Sequence, residues 1–460
     1  MSTHHRTPDG EVPQTWVAID IAKDLHVVLI ATPTQRRLCK LPNTKPDVEH
    51  LITELRTAPQ PVRIGFEPTG VYHRPLAYQL VTAGFDVVLI SSLACSRFRE
   101  ARFTSWDKND PKDAGVLLDL LRQGITMRFV DPVVAGWNDV QEVSKTYWQV
   151  TLMRTRVQHS LLTHYLPLYW PEFARYWHTS RGAAFIQMLL VFPTPASIVA
   201  LDRETFITRA WDAPGRKVNK RVWLEGVYEL AHRSIGVPVP AGSPALQAFR
   251  LRLQSFLDLT RQRAQLEAWA QSLLGAHPDY VALQTIPGIG PIFALTILAE
   301  AGDLRRFDHY RQFLKFCGLD LAKSQSGQQR GREVLSKRGN ARLRCAFWFA
   351  GRIAVRLRES SIRDKYERYL AAGTLNADRK RMAYTAIAAK MARITYAVIK
   401  TGRPYRGYYE HDLPSGSISL RRAVDVNTGT NCALSPESFA HLTWARSPGC
   451  RLGLLPGAAG

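Results

Sequence analysis

Disulfide and zinc chemistry have little to work with in this chain: 460 residues carry only six cysteines, Cys39, Cys95, Cys317, Cys345, Cys432 and Cys450, with no Cys-x-x-Cys pair. The scatter excludes a zinc cluster and a disulfide framework and leaves ordinary thiols. Long apolar runs are missing too. No stretch approaches the roughly 20 residues of a membrane-spanning helix, and Met1 to Gly10 is polar, without the apolar core of a signal peptide. The chain therefore reads as cytoplasmic, with no membrane partner. Acidic residues are also few: 39 Asp+Glu stand against 61 Lys+Arg, a net charge of +22. That excess points to a polyanionic partner, first of all nucleic acid, held by contacts that weaken steeply in salt.

What is present is enough apolar residue for globular cores, and at about 150 residues per domain the length suggests roughly three folding units. Trp16 to Ile21, Leu25 to Ala31 and Arg36 to Leu41 are short, apolar or alternating, and separated by turn-sized gaps. They read as three adjacent strands in an antiparallel meander. Helical spacing follows over Asp47 to Leu55, a fourth strand over Val62 to Phe66, a helix over Val71 to Ala83, a fifth strand over Asp86 to Ser91 and a helix after Asp110. The sum is an α/β layer.

From Trp137 to His164 apolar positions recur at three- and four-residue steps, until Pro167 is expected to stop the helix. Ser243 and Pro244 then supply an N-cap and first-turn proline for a long helix ending at Gly275. Its stripe is Leu246, Phe249, Leu253, Phe256, Leu259, Leu266, Ala270 and Leu273, close to a heptad, so the two helices are expected to pair as an antiparallel stalk. Between them Ser180 to Val239 looks mainly helical, an inserted accessory segment without assignable chemistry. A third unit ends in a helix with Ile387, Met391, Ile394 and Val398 on one face, closed by Gly402 and Pro404. The expected organisation is thus 1–130, 131–279, 280–410 and a loosely ordered Gly-, Ser- and Pro-rich tail over 411–460.

Four acids stand out against the basic background. Asp20 ends one predicted strand, Glu67 ends another, and Asp110 and Asp113 open a helix. Taken alone, Asp20 reads equally as a strand-end residue facing water. Asp110-Pro111-Lys112-Asp113 likewise makes a good helix start, with an N-cap acid, proline at N1 and an acid at N3 favoured by the dipole. The three-residue spacing nonetheless puts both carboxylates on one face, and four converging acids would repel one another without a cation between them. Oxygen ligands suit Mg²⁺ or Mn²⁺, and on a basic protein a phosphodiester is the natural substrate for such a metal.

Farther on, Ile286-Pro287-Gly288-Ile289-Gly290-Pro291 lies between two apolar helices, a helix-hairpin-helix pattern in which the backbone at Gly288 and Gly290 can hold a phosphate; a plain tight turn reads as well. Lys323, Arg330, Arg332, Lys337, Arg338, Arg342 and Arg344 follow with only Glu333 opposing them, a cluster suited to phosphate contacts or simply a solvated face. Ser326, within Lys-Ser-Gln-Ser-Gly, is by itself one serine among many.

Val-Ala-Ile-Asp-Ile-Ala-Lys-Asp, Phe-Glu-Pro-Thr-Gly-Val-Tyr, Lys-Asn-Asp-Pro-Lys-Asp-Ala, Ile-Pro-Gly-Ile-Gly-Pro, Ser-Gly and Ser-Lys-Arg-Gly-Asn together, in that order from Trp16 to Tyr409, resemble the insertion-sequence transposases with an Asp-Glu-Asp-Asp tetrad. That family includes the pilin-gene DNA invertases and the bridge-RNA-guided recombinases. The resemblance implies a RuvC-like, RNase H-type first domain whose Mg²⁺ ligands map onto Asp20, Glu67, Asp110 and Asp113. It implies a stalk that serves dimerisation, and a mostly helical transposase domain whose serine nucleophile matches Ser326 rather than Ser324, because Gly follows only Ser326.

The implied partners are donor and target DNA, a structured guide RNA encoded by the same element, and further copies of the chain in a dimer or tetramer. The setting is the bacterial nucleoid. The composite of tetrad and serine would form within one subunit or between subunits. The segment between the long helices is longer than in the shortest relatives, and the tail after Asp412 lies outside the likeness. Two other functions remain: a RuvC-like structure-selective nuclease using water, with Ser326 idle, and a non-catalytic nucleic-acid-binding protein whose acids only cap helices.

Overall fold

The computed structural model describes residues 12–103, 110–177, 182–213, 219–322, 325–326, 329–330, 334–357, 360–373 and 376–407. The expected tail over 411–460 lies outside them, as do Lys323 and Arg332. The chain divides into two compact units, one up to Asp139 and one from Val140. It is a mixed α/β protein with one central sheet and many helices.

The first unit is built on a six-stranded sheet: β1 (Thr15–Asp20), β2 (Leu25–Ala31), β3 (Arg36–Pro42), β4 (Val62–Phe66), β5 (Asp86–Leu89) and β6 (Met127–Arg128), in the order β3-β2-β1-β4-β5-β6. The first three form the antiparallel meander, while β1, β4 and β5 run parallel. Parallel neighbours need crossovers, supplied by α1 (Lys45–Thr57) and α2 (His73–Thr82). Helices α3 (Ser92–Phe103) and α4 (Asp110–Arg122) follow β5.

β1 is buried on both faces, which is why its apolar residues run together instead of alternating with polar ones. The pleat still sorts them. Val17 and Ile19 join Leu51, Leu55, Leu76 and Leu80 in one core, whereas Ala18 joins Leu117 and Leu121 of α4 in another. On β4, Gly65 faces the second core, and a Cβ there would meet Leu121 Cδ1 at 2.8 Å. The missing side chain thus admits α4 close to the sheet.

The second unit opens with α5 (Asn138–Ser160). Pro167 does not end this helical run as expected: a π-helical turn over Leu161–Tyr165 passes into the short α6 (Leu166–Tyr169), where Pro167 occupies a first-turn position whose missing N–H costs nothing. After α7 (Gly182–Val191), α8 (Ala196–Val199), α9 (Arg203–Ala210) and α10 (Lys220–His232) comes α11 (Pro244–Leu274), capped by the Ser243 hydroxyl accepting from Leu246 N–H.

α5 and α11 pair antiparallel. Tyr147 meets Glu267, Arg154 meets Thr260, and in the π turn Tyr165 stacks on Phe249, so each step up one helix is a step down the other. The distal half of this seam is polar, with Arg263 over the Tyr147 ring and Arg154 over the Phe256 ring. At the end of the stripe Leu274 is buried and Leu273 is exposed, one position off the expected pattern, because a long straight helix drifts away from a strict seven-residue repeat. The helices α7 to α10 share one core with the paired helices through Trp170, Phe173, Phe185, Phe206, Leu224 and Phe249. They are built into the stalk.

The chain then runs through α12 (Pro278–Gln284), α13 (Pro291–Ala301), α14 (Tyr310–Cys317), four two-residue strands, β7 (Leu321–Ala322), β8 (Gln325–Ser326), β9 (Gln329–Arg330) and β10 (Val334–Leu335), and three helices, α15 (Ala341–Ala354), α16 (Ser361–Ala371) and α17 (Ala377–Thr401). α17 is the hub, packing on α12, α14, α15 and α16. Ile387, Met391 and Val398 are buried on it, Ile394 partly, and Gly402 ends it in the left-handed conformation.

Candidate active site

The sheet brings Asp20 and Glu67 to one end. In the parallel pairing of β1 and β4, Ile19 lies opposite Phe66, so the next position on each strand is an acid. The pleat carries Asp20 to the side of Ala18, the side covered by α4. Glu67 turns to the same side, where it hydrogen-bonds with Cys95 of α3.

Asp113, one turn into α4, is buried there, and its Oδ1 accepts from Arg99 Nε at 2.6 Å. Both side chains of this ion pair are largely hidden. Arg102 and Asp119 make a second pair between the same two helices. The Cys95 thiol registers the local field: burial, then Glu67, push it up to about 12, Asp113 adds to the rise and Arg99 opposes it. Cys95 therefore lies within electrostatic reach of Glu67, Asp113 and Arg99.

Asp110 is the first residue of α4, three positions from Asp113, and its side chain lies outside the described set. Among the described residues no three His, Cys, Asp or Glu side chains stand together as a group that could hold a metal ion. On the Asp113 side the Arg99 guanidinium sets a positive charge against the carboxylate. The donors present are carboxylates from two strand ends and one helix, the set a hard divalent ion prefers. Sequence reasoning missed Arg99 and Cys95. They lie four residues apart on one face of α3, but nothing local tells which helix they will face.

In the second unit β8 and β9 pair antiparallel, with Ser326 opposite Gln329 and Gln325 opposite Arg330. The side chains of Ser326 and Arg330 lie outside the described residues.

The glycine-rich turn between α12 and α13 has two different glycines. Gly288 has φ +85°, and a Cβ on it would meet the Ala350 carbonyl at 2.2 Å, so it serves the packing of the turn on α15. Gly290 caps α13 and has open space where a Cβ would be. Of the basic residues, Lys337 and Arg338 are exposed, Lys337 at φ +55°. Arg342 pairs with Glu300 at 2.8 Å and Arg344 donates to the Cys317 carbonyl at 3.2 Å, which gives both a scaffold role.

Two family profiles match this chain in succession, the DEDD transposase profile of the IS110 type over residues 17–171 and the Transposase IS116/IS110/IS902 family over 280–367. The chain belongs to the IS110-type transposase family. The first profile starts on β1 and runs through both strand ends and α4; the second runs from α12 into α16 and contains the Ser326 hairpin.

Among individual relatives of this family, an insertion element IS110 protein of 43.6 kDa from Streptomyces coelicolor is 23% identical over 89% of this chain and 98% of its own length. A protein of Pseudomonas aeruginosa named a probable family 20 transposase is 31% identical over 37% of this chain and 49% of its own. A transposase for insertion sequence element IS1111A from Coxiella burnetii is 33% identical over 28% of this chain and 35% of its own. The chain thus spans about half or less of two of these relatives and nearly all of the third.

Proposed function

We propose that this protein is a DNA transposase that cuts and rejoins strands of its own insertion sequence. The observation that carries the reading is the placing of Asp20 and Glu67 at the ends of adjacent strands, on the side of the sheet covered by α4, the helix that bears Asp113, inside the segment matched by the DEDD transposase profile. A three-stranded meander continued by parallel strands, with carboxylates at the strand ends, supports a RuvC-like, RNase H-type first domain.

Asp20, Glu67, Asp110 and Asp113 are the residues that would hold Mg²⁺ or Mn²⁺, which when bound neutralises charge on the phosphate under attack. Asp20 and Glu67 sit at strand ends, where the sheet fixes their backbones, and Asp113 is set by the first turn of α4. Ser326 is the proposed nucleophile. Its hydroxyl attacks phosphorus, a serine Oγ–P bond forms, one P–O bond of the strand breaks, and the departing oxygen takes up a proton. A hydroxyl of the incoming strand then displaces Ser326, so no bond energy is lost. A net charge of +22 supplies the attraction for donor and target DNA and for a structured guide RNA. Further copies of the chain, in a dimer or tetramer, complete the assembly.

The test uses DNA carrying the joined ends of the element, the co-purified RNA and Mg²⁺. Wild type should cut and rejoin this DNA, while Asp20→Asn should bind it with unchanged affinity and leave it intact. An Asp20→Asn protein that cuts at the wild-type rate sinks the proposal.

A further inference from the structure

The turn that follows Asp20 is clasped from two sides. β1 and β2 pair as far as Asp20 opposite Val27, so the chain reverses between residues 21 and 26, directly behind the acid. Within that reversal the Ala22 N–H donates to His26 Nδ1 at 3.2 Å. Asn43, just past the end of β3, adds two bonds from outside. Its backbone N–H donates to the Asp24 carbonyl at 2.9 Å and its side-chain amide to the Lys23 carbonyl at 3.1 Å. Three exposed residues in succession, Ala22, Lys23 and Asp24, are thereby tied down.

An imidazole is a costly choice for this place. His26 is fully buried, and the pleat of β2 puts it on the face of Val28 and Ile30, in the core that also takes Val17 and Ile19. Burying a polar ring there costs free energy that a hydrogen bond must offset, whereas an apolar side chain would fill the space without that cost. Burial also pushes the ring below its ordinary pKa, against Asn43, which keeps it neutral and Nδ1 able to accept. Asp20 lies on the other face, the side of Ala18, so His26 is not placed to ligate an ion held there. Its reach to Asp20 runs through the backbone of Ile21 and Ala22.

The sheet alone gives Asp20 little support. The β4 ladder stops at Ile19 opposite Phe66, and Asp20 is the last residue of β1 paired with β2. Strand ends open locally at small free-energy cost, while a carboxylate that takes part in phosphoryl chemistry needs a fixed position.

We propose that His26 is a positioning residue for the strand-cutting reaction. By accepting from the Ala22 N–H it fixes, together with Asn43, the turn that keeps the Asp20 carboxylate where a divalent ion needs it. The inference deepens the transposase reading and rests on Asp20 being a metal ligand.

The experiment compares full-length wild type, His26→Leu, His26→Asn and Asn43→Ala. Leucine removes the acceptor, whereas the asparagine Oδ1 can take the place of Nδ1. Three quantities are read: amide exchange at Ala22, Mn²⁺ affinity by electron paramagnetic resonance without DNA, and the single-turnover rate of cutting element-end DNA. In His26→Leu, exchange at Ala22 should quicken by about fivefold, the worth of one hydrogen bond. Mn²⁺ affinity and cutting rate should each fall about 10-fold, the lower end of what outer-shell partners of a metal ligand supply. DNA affinity should stay at the wild-type value. His26→Asn should restore all three quantities, and Asn43→Ala should shift them in the same direction as leucine does.

Wild-type Mn²⁺ affinity in His26→Leu overturns the role, and so does a loss that His26→Asn fails to restore, since packing of the ring would then be its whole task. Should His26→Leu not fold, Asn43→Ala decides, because Asn43 lies outside the core: wild-type Mn²⁺ affinity and cutting in that variant overturn the clasp. An Asp20→Asn protein that binds Mn²⁺ and cuts DNA like wild type removes the transposase reading itself. Asp20-dependent binding and cutting that ignore His26 remove only the positioning role.

Discussion

Arg99 of α3 holds Asp113 of α4 through a 2.6 Å ion pair that is almost wholly buried. The pair places a positive charge against a carboxylate proposed to hold a divalent ion. Removing one partner of a buried pair costs about 3–5 kcal/mol, because the other charge is left uncompensated. Arg99→Gln should therefore melt well below wild type without divalent metal and recover much of the loss when Mn²⁺ is added. Melting curves with and without Mn²⁺, free of DNA, provide the check. Equal Mn²⁺-induced shifts in the two proteins would show that Arg99 does not stand in for a cation.

The two glycines of the α12–α13 turn separate packing from ligand access. Gly288→Ala combines a left-handed φ with a Cβ 2.2 Å from a carbonyl, and should cost at least about 1–3 kcal/mol of stability from backbone strain alone. Gly290→Ala has room and an ordinary φ, and should stay within about 0.5 kcal/mol of wild type. Urea denaturation measures both. If Gly290→Ala keeps stability yet weakens DNA binding, the turn contacts phosphate through its backbone.

Alkaline stability should depend on Cys95. Its thiol is raised from 9 to about 12 in the folded protein, mainly by burial and next by Glu67. Unfolded chains lose this proton near pH 9 while the folded protein keeps it, so the contribution is fully present below pH 9 and disappears as pH climbs toward 12. Urea midpoints of wild type should fall more steeply than those of Cys95→Ala between pH 9 and 11. Parallel curves would mean that the thiol is not held in this environment.

The meander, the strand ends bearing Asp20 and Glu67, and the helix opening at Asp110 were legible because each is written locally, in apolar runs, turn-sized gaps and a helix-start pattern. The pairing of α5 and α11 was legible for the same reason. Pro167 misled because a proline is tolerated where the helical hydrogen-bond pattern has already shifted, and a π turn leaves no composition signal. Arg342 and Arg344 look like their exposed neighbours Lys337 and Arg338 in the sequence. Their partners, Glu300 and the Cys317 carbonyl, come from α13 and α14, so only the tertiary fold separates the two kinds of arginine. Arg99 was hidden likewise, since its pairing depends on which helix lies opposite.

The central claim is that Ser326 becomes joined to DNA in a step that needs the carboxylates of the first unit. Reactions of wild type, Ser326→Ala and Asp20→Asn with labelled element-end DNA, quenched in denaturant and digested for mass spectrometry, test it directly. The account predicts a nucleotide phosphate on the Ser326 peptide in wild type alone. A covalent adduct that persists in Ser326→Ala, or strand cutting by that variant at the wild-type rate, would contradict it.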